Sequence, residues 1–188
     1  DVMGVRQSGF ALLSSSRVQE AQDMAAISHL ASVESRIPFV HFFDGFRTSH
    51  EIQKIDAISE DTIKQMVNYD AIKEFKNDGL RPERPYVKVG AENPDVYFQG
   101  RETVNSYYDA LPSIVKKYMQ MFAKHTGRVY RLFDYIGSPT AEDVVIAMGS
   151  ATGTIEETIN HLNNKGENFG AVRVHLYRPF SSVDFLKT

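Results

Sequence analysis

Gly9-Phe10-Ala11-Leu12-Leu13, Ser14-Ser15-Ser16, the unbroken stretch Val18 to Ser35, and Phe39-Val40-His41-Phe42-Phe43 closed by Asp44-Gly45 decide the fold class of this chain. The first segment is a short apolar run and reads as a buried strand. Ser16 and Gln19 form a capping-box pattern at a helix start. Val18, Ala21, Ala25, Ala26, Leu30 and Val33 then recur at helical spacing, with no Gly or Pro to interrupt them. Pro38 precedes an aromatic and β-branched run that reads as a second strand. Strand, helix and strand within about 35 residues make a βαβ unit, which favours a parallel sheet with a right-handed crossover. Ligands of such sheets gather at the carboxyl ends of the strands. Ser14 to Ser16 and Asp44 to His50 occupy those ends.

A second unit is expected toward the C-terminus. Val144 to Met148 reads as a strand, Gly149 to Gly153 as a tight loop, and Thr154 as the cap of a helix to about Asn163. Gly166 stops that helix, and Ala171 to Leu176 is the next strand. Between the units, Ser59 to Tyr69 reads as a short capped helix and 77–93 as an irregular loop. Arg101 to Lys124 reads as helical, with Pro112 starting a new helix. The expected fold is α/β: two successive βαβ-containing units with mainly parallel sheets, linked by a loop-rich and helical segment. The expected boundary divides residues 1–127 from 128–188.

The chain has 188 residues and a net charge of −3, which gives no long-range attraction to nucleic acid. No apolar run approaches the roughly 18 residues that cross a bilayer. Cysteine is absent, so this chain supplies no disulfide, thiolate zinc site, cysteine nucleophile or iron–sulfur ligand. It opens at Asp1 without an initiator Met and is expected to be an internal piece of a longer polypeptide.

Asp44-Gly45-Phe46-Arg47-Thr48-Ser49-His50-Glu51 is the densest polar cluster. Asp44, Arg47, Ser49 and His50 are the candidate residues near substrate or cofactor. Asp44 with His50 could transfer protons, and the Arg47 guanidinium could grip a carboxylate. The plainer reading is a strand-end turn in which Thr48 or Ser49 caps a helix and Arg47 pairs with Asp44. Gly149 to Thr154 could present helix N–H groups to an anion, but it is neither G-x-G-x-x-G nor a P-loop. Glu156 and Glu157 there would repel a phosphate and suit the helix dipole by themselves. His29, His41 and His175 show no metal-ligand spacing and read as hydrogen-bonded structural residues. No metal site and no catalytic residue is assigned within the chain.

Arg6 to Leu13, the run Pro38 to Glu51, and Phe133-Asp134-Tyr135-Ile136-Gly137-Ser138-Pro139-Thr140-Ala141-Glu142 resemble pyruvate:ferredoxin (flavodoxin) oxidoreductase, the large single-chain enzyme of anaerobes. Val96 to Glu102 and Leu176 to Phe180 fit the same pattern. The resemblance implies an enzyme that decarboxylates pyruvate on thiamine diphosphate, forms acetyl-CoA, and passes electrons through iron–sulfur clusters to ferredoxin or flavodoxin. It implies that residues 1–127 end the thiamine-contacting domain and 128–188 begin a transketolase C-terminal-like domain. It also implies a homodimer, located in the cytoplasm or a hydrogenosome-like organelle, with magnesium beside the thiamine. The activating carboxylate, the pyruvate pocket and the cluster ligands fall outside these residues, so this piece would hold no cofactor alone. A related fusion flavoprotein, a sulfite-reductase component and a stand-alone α/β binding module are the alternatives.

Overall fold

The computed structural model describes residues 1–85 and 90–188. After a short 3-10 turn at Val2–Val5, β1 (Ala11–Ser14), α1 (Val18–Ser35) and β2 (Phe39–Phe42) form the first βαβ unit. β1 and β2 are parallel, with Ala11 opposite Phe39 and Ser14 opposite Phe42. Both strands are short, β1 fully buried and β2 aromatic and β-branched, and Arg36 closes α1 in the left-handed conformation with φ 62°.

Among the described residues the linking segment holds four helices where the sequence suggested fewer. Ser59 caps α2 (Glu60–Met66) by accepting the Thr62 N–H, and Asn68 caps α3 (Tyr69–Asn77) by accepting that of Ala71. The helix expected over Ser59 to Tyr69 is α2, which stops at Met66; α3 is a further helix, started by the Asn68 cap. α4 (Pro94–Glu102) starts earlier than expected, on an N-terminal proline. Of the expected 77–93 loop, Tyr86 to Val89 lie outside the described residues.

α5 (Asn105–Thr126) runs through Pro112 without a break, so that proline does not start a helix. An internal proline removes one backbone hydrogen bond and costs about 3 kcal/mol. Here Leu111, Val115, Tyr118, Met119 and Phe122 are all buried on one stripe spanning the proline. Each such side chain contributes about 1.5–3 kcal/mol, so packing outweighs the local defect. Gly127 ends the helix at φ 74°, its N–H bonded to Ala123 O.

The second unit comprises β3 (Phe133–Gly137), β4 (Asp143–Ala147), α6 (Ala151–Asn163) and β5 (Phe169–Val174). Strand order is β3-β5-β4, with β4 parallel and β3 antiparallel to β5. The helix begins before Thr154, which lies inside α6 and caps nothing. The chain then recrosses: β6 (Leu176–Arg178) pairs antiparallel with β1, giving the first sheet the order β2-β1-β6. α7 (Ser182–Phe185) follows. The architecture is mixed α/β with two βαβ units, as the spacing of strands and helices suggested.

One core runs across both sheets. Leu13, Met24 and Ile27 pack with Phe122, Phe133 and Val174. At the join, His175 is 1% exposed; its Nδ1 lies 3.1 Å from Ser14 O and its Nε2 3.0 Å from Asp134 Oδ2. Burial alone would raise the Asp134 pKa, but hydrogen bonding and charge from His175, then Arg131, outweigh it and hold the carboxyl low. His175 is thus a structural residue that ties the end of β1 to β3.

The buried side of α1 differs from the apolar set read in the sequence. Glu20, Asp23, Met24, Ile27, Ser28, Ala31 and Ser35 face inward. Ala25, Ala26, Leu30 and Val33 instead line a hollow of about 450 Å³ against α2 and α3. The Ser16 N–H and Oγ bind Glu20 Oε2 at 2.8 and 2.5 Å, so Glu20 and not Gln19 closes the capping arrangement. Gln19 is used elsewhere: its Oε1 accepts the Asp56 N–H at 2.7 Å and fixes the loop after β2.

Candidate functional site

The loop after β2 and the start of α6 meet. Asp44, at the carboxyl end of β2, accepts the Ser150 N–H through Oδ2. Ser150 has no side-chain cap of its own, so a carboxylate from 106 residues away supplies it. Gly149 makes the approach possible. It sits at φ 79°, and a Cβ there would come within 2.6 Å of Asp44 Oδ2.

The other members of the cluster fold a tight turn. Ser49 Oγ accepts the Phe46 N–H at 2.9 Å and lies 2.8 Å from His50 Nδ1. The His50 ring stacks on Phe46, with centroids 5.0 Å apart and planes 17° apart. Thr48 is buried, and its hydroxyl donates to Ser16 O at 3.4 Å, which ties the loops after β1 and β2 together. Neither Thr48 nor Ser49 caps a helix. Arg47 does not pair with Asp44; its side chain is exposed and has no ion-pair partner among the described residues.

These segments enclose a cleft of about 850 Å³, lined by Ser16, Arg17, Arg47, Glu51, Ser150 and Thr154 among others. It lies where the two units meet, at the carboxyl end of β1 and β2, as the rule for open α/β sheets requires. The structure brings Asp44 and Arg47 to this cleft region. Ser49 and His50 stand on the outer side of the turn, against Phe46, and Asp44 and His50 have no hydrogen bond to each other. Asp44 is occupied as a cap, so the Asp44–His50 proton-transfer pair is not formed.

An ionic chain that no local sequence pattern announces starts at Arg17 in the cleft lining. Glu156 accepts from Arg17 at 2.6 Å and from Arg173 at 2.7 Å, and Arg173 reaches Glu20 at 3.4 Å. Arg17 and Glu156 lie 139 positions apart, so no local pattern announces them. Glu156 does more than suit the helix dipole: it fastens α6 to the loop after β1.

The fit of a thiamine diphosphate to these residues is poor. The first free N–H of α6 already holds a carboxylate, and Glu157 also lines the cleft. A diphosphate placed there would meet like charge. No group of three metal-ligating side chains is found among the described residues. The apolar hollow beside α1 has few polar groups to orient a reaction.

His41 shows the electrostatic side of this strand end. Its Nε2 lies 2.9 Å from Ser15 Oγ. Burial first, and the neighbouring His29 second, push its pKa from 6.5 down to about 4. The unfolded chain therefore binds this proton at a higher pH than the folded one. Stability is retained above pH 6.5 and lost as pH falls toward 4. The expected contribution is about 1–2 kcal/mol between pH 6.5 and 5, the lower end reflecting the ring's partial access to solvent. Urea titrations of the wild type and His41→Asn at both pH values check this. The variant should lose less stability on acidification; an identical loss would contradict the assignment.

Comparison with known proteins bears on the whole chain. Residues 1–120 match the family described as pyruvate flavodoxin/ferredoxin oxidoreductase, thiamine diphosphate-binding. Residues 141–187 match pyruvate:ferredoxin oxidoreductase core domain II. Pyruvate:ferredoxin oxidoreductase of Moorella thermoacetica is 54% identical over 187 residues, covering 100% of this chain and 16% of its own length. Pyruvate-flavodoxin oxidoreductase of Rhodospirillum rubrum is 51% identical over 186 residues, covering 99% of this chain and 16% of its own length. Pyruvate dehydrogenase [NADP(+)] of Cryptosporidium parvum is 48% identical, covering 100% of this chain and 10% of its own length. The fold is also that of 2-oxoglutarate:ferredoxin oxidoreductase from Magnetococcus marinus, with a TM-score of 0.59 at 15% identity over 94% of this chain and 32% of that one. The chain therefore spans about a sixth of the first two relatives. By the match of its larger part and the identity along its whole length, it belongs to the pyruvate:ferredoxin (flavodoxin) oxidoreductase family.

Proposed function

We propose that residues 1–188 form part of a thiamine-diphosphate-dependent oxidoreductase that converts pyruvate and CoA to acetyl-CoA and CO2. The two electrons released pass through iron–sulfur clusters to ferredoxin or flavodoxin. The observation that carries this reading is the identity of 54% and 51% to such enzymes, which spans both units. That continuity favours it over a stand-alone binding module. In this reading 1–127 end the thiamine-contacting domain and 128–188 begin the next, in a homodimeric enzyme of the cytoplasm or a hydrogenosome-like organelle.

The chain's own role is positional. Asp44 fastens the loop after β2 to α6, and the Arg17–Glu156–Arg173–Glu20 chain fastens the loop after β1. Together they fix one wall of a cleft in the larger enzyme, with Arg47 as its cation. The thiamine, its magnesium and the clusters are held by the enzyme outside these residues. The cofactor supplies the carbanion chemistry when bound, and Asp44, Arg47, Ser49 and His50 shape the surroundings.

Isothermal calorimetry of the 188-residue chain with thiamine diphosphate and magnesium tests this. No binding in the micromolar range and no pyruvate-dependent dye reduction are expected. Micromolar binding by the isolated chain would overturn the placement of the cofactor site.

A further inference from the structure

The tip of the loop after β2 carries strain and apolar exposure that its own hydrogen bonds and the His50 stack offset only in part. Phe46 has φ 63°, a conformation that bulky residues rarely adopt. Its neighbour Gly45 could have taken that conformation without strain. The strained residue also carries an aromatic ring that is 84% exposed. On the same loop Ile52 is fully exposed and Phe43 is 44% exposed. The tip is nonetheless held firmly. Ser49 bonds the Phe46 N–H, Thr48 is anchored to Ser16, and Asp44 to Ser150.

We infer that Phe46 is a docking plug: with Phe43 and Ile52 it seats in an apolar socket on another part of the full-length oxidoreductase polypeptide. Local strain and an uncovered ring persist where a contact elsewhere stabilises them. The relatives extend far beyond this chain, which covers 16% of their length, so such a surface has an ample source. A second copy of this chain is the weaker occupant. Three side chains of this size offer roughly 400 Å² at most, about half of what one partner contributes to a stable interface. A covalently linked domain needs no such area, because its effective concentration is high.

This inference rests on the chain being part of a larger oxidoreductase. Calorimetry with thiamine tests that reading; hydrogen exchange tests this one. Amides 44–50 should exchange at least tenfold more slowly in the full-length enzyme than in the 188-residue chain. Phe46→Gly should abolish that slowing in the full-length enzyme. In the 188-residue chain the same substitution should leave Tm unchanged or raise it by up to about 3 °C, because it relieves a positive φ. Equal exchange rates in the two proteins would overturn the inference. So would a drop in the Tm of the 188-residue chain on Phe46→Gly, which would make the His50 stack the reason for the ring. Slowed exchange in the 188-residue chain that grows with concentration would reassign the plug to a second copy.

Discussion

Replacing Asp23 by Ala is expected to destabilise the folded chain by about 3–5 kcal/mol, the cost of breaking a buried ion pair from one side. Asp23 is 0% exposed and stands in the middle of α1. Its carboxylate accepts from Arg128 Nε at 2.6 Å and Nη2 at 3.0 Å, from Tyr130 OH at 2.7 Å, and from Gln19 and Gln22 at 3.0 and 3.2 Å. Arg128 lies after Gly127, in the segment that leads from α5 to the second unit. The Asp23 hydrogen bond raises the Arg128 pKa further, and burial followed by Asp23 raises that of Tyr130. Removing the carboxylate strands the arginine and the tyrosine hydroxyl, while the two amides keep Asp56 O as an acceptor. A domain of this size has about 5–15 kcal/mol to lose, so the variant should sit near the edge of folding. Urea unfolding of Asp23→Ala, with Asp23→Asn as the milder change, measures it. The double variant Asp23→Leu with Arg128→Met should cost less than Asp23→Ala alone, since no charge is stranded. A loss below about 1 kcal/mol for Asp23→Ala would contradict the role.

The same residue shows why part of the fold was legible and part was not. The β1–α1–β2 unit follows from local pattern, and α1 begins and ends where Val18 and Ser35 suggested. Its inward stripe could not be read, because it carries Glu20, Asp23 and two serines among Met24, Ile27 and Ala31. Glu20 and Asp23 are buried only because Ser16, Arg128, Tyr130 and Arg173 meet them, and all but Ser16 are brought there by tertiary structure. Pro112 misled for a related reason: the stripe it interrupts is buried deeply enough to override the local defect. β6 was hidden because Ala171 to Leu176 looks like one strand. Only the position of His175, between Ser14 and Asp134, shows where the chain leaves one sheet for the other. In the candidate site, the two loops were visible from their places after strands. Their joining through Asp44 and Ser150 was not, since it depends on how the two units dock.

In the function we propose, this chain positions a wall of an active site and transfers no proton to substrate itself. Arg47 and His50 are the residues that decide it. Arg47 lines the cleft as its exposed cation, whereas His50 is engaged by Ser49 and by the Phe46 ring. A lost charged hydrogen bond is worth about 1–3 kcal/mol, which corresponds to a roughly 5- to 150-fold change in rate. Loss of a proton-transfer group typically removes a hundred-fold to ten-thousand-fold. The measurement is steady-state pyruvate oxidation by the full-length enzyme carrying Arg47→Ala or His50→Ala, with folding checked by circular dichroism. Arg47→Ala should lower kcat/KM by roughly 5- to 150-fold, with His50→Ala affected less. A correctly folded His50→Ala enzyme that loses nearly all activity would overturn the positional role and make His50 a catalytic residue.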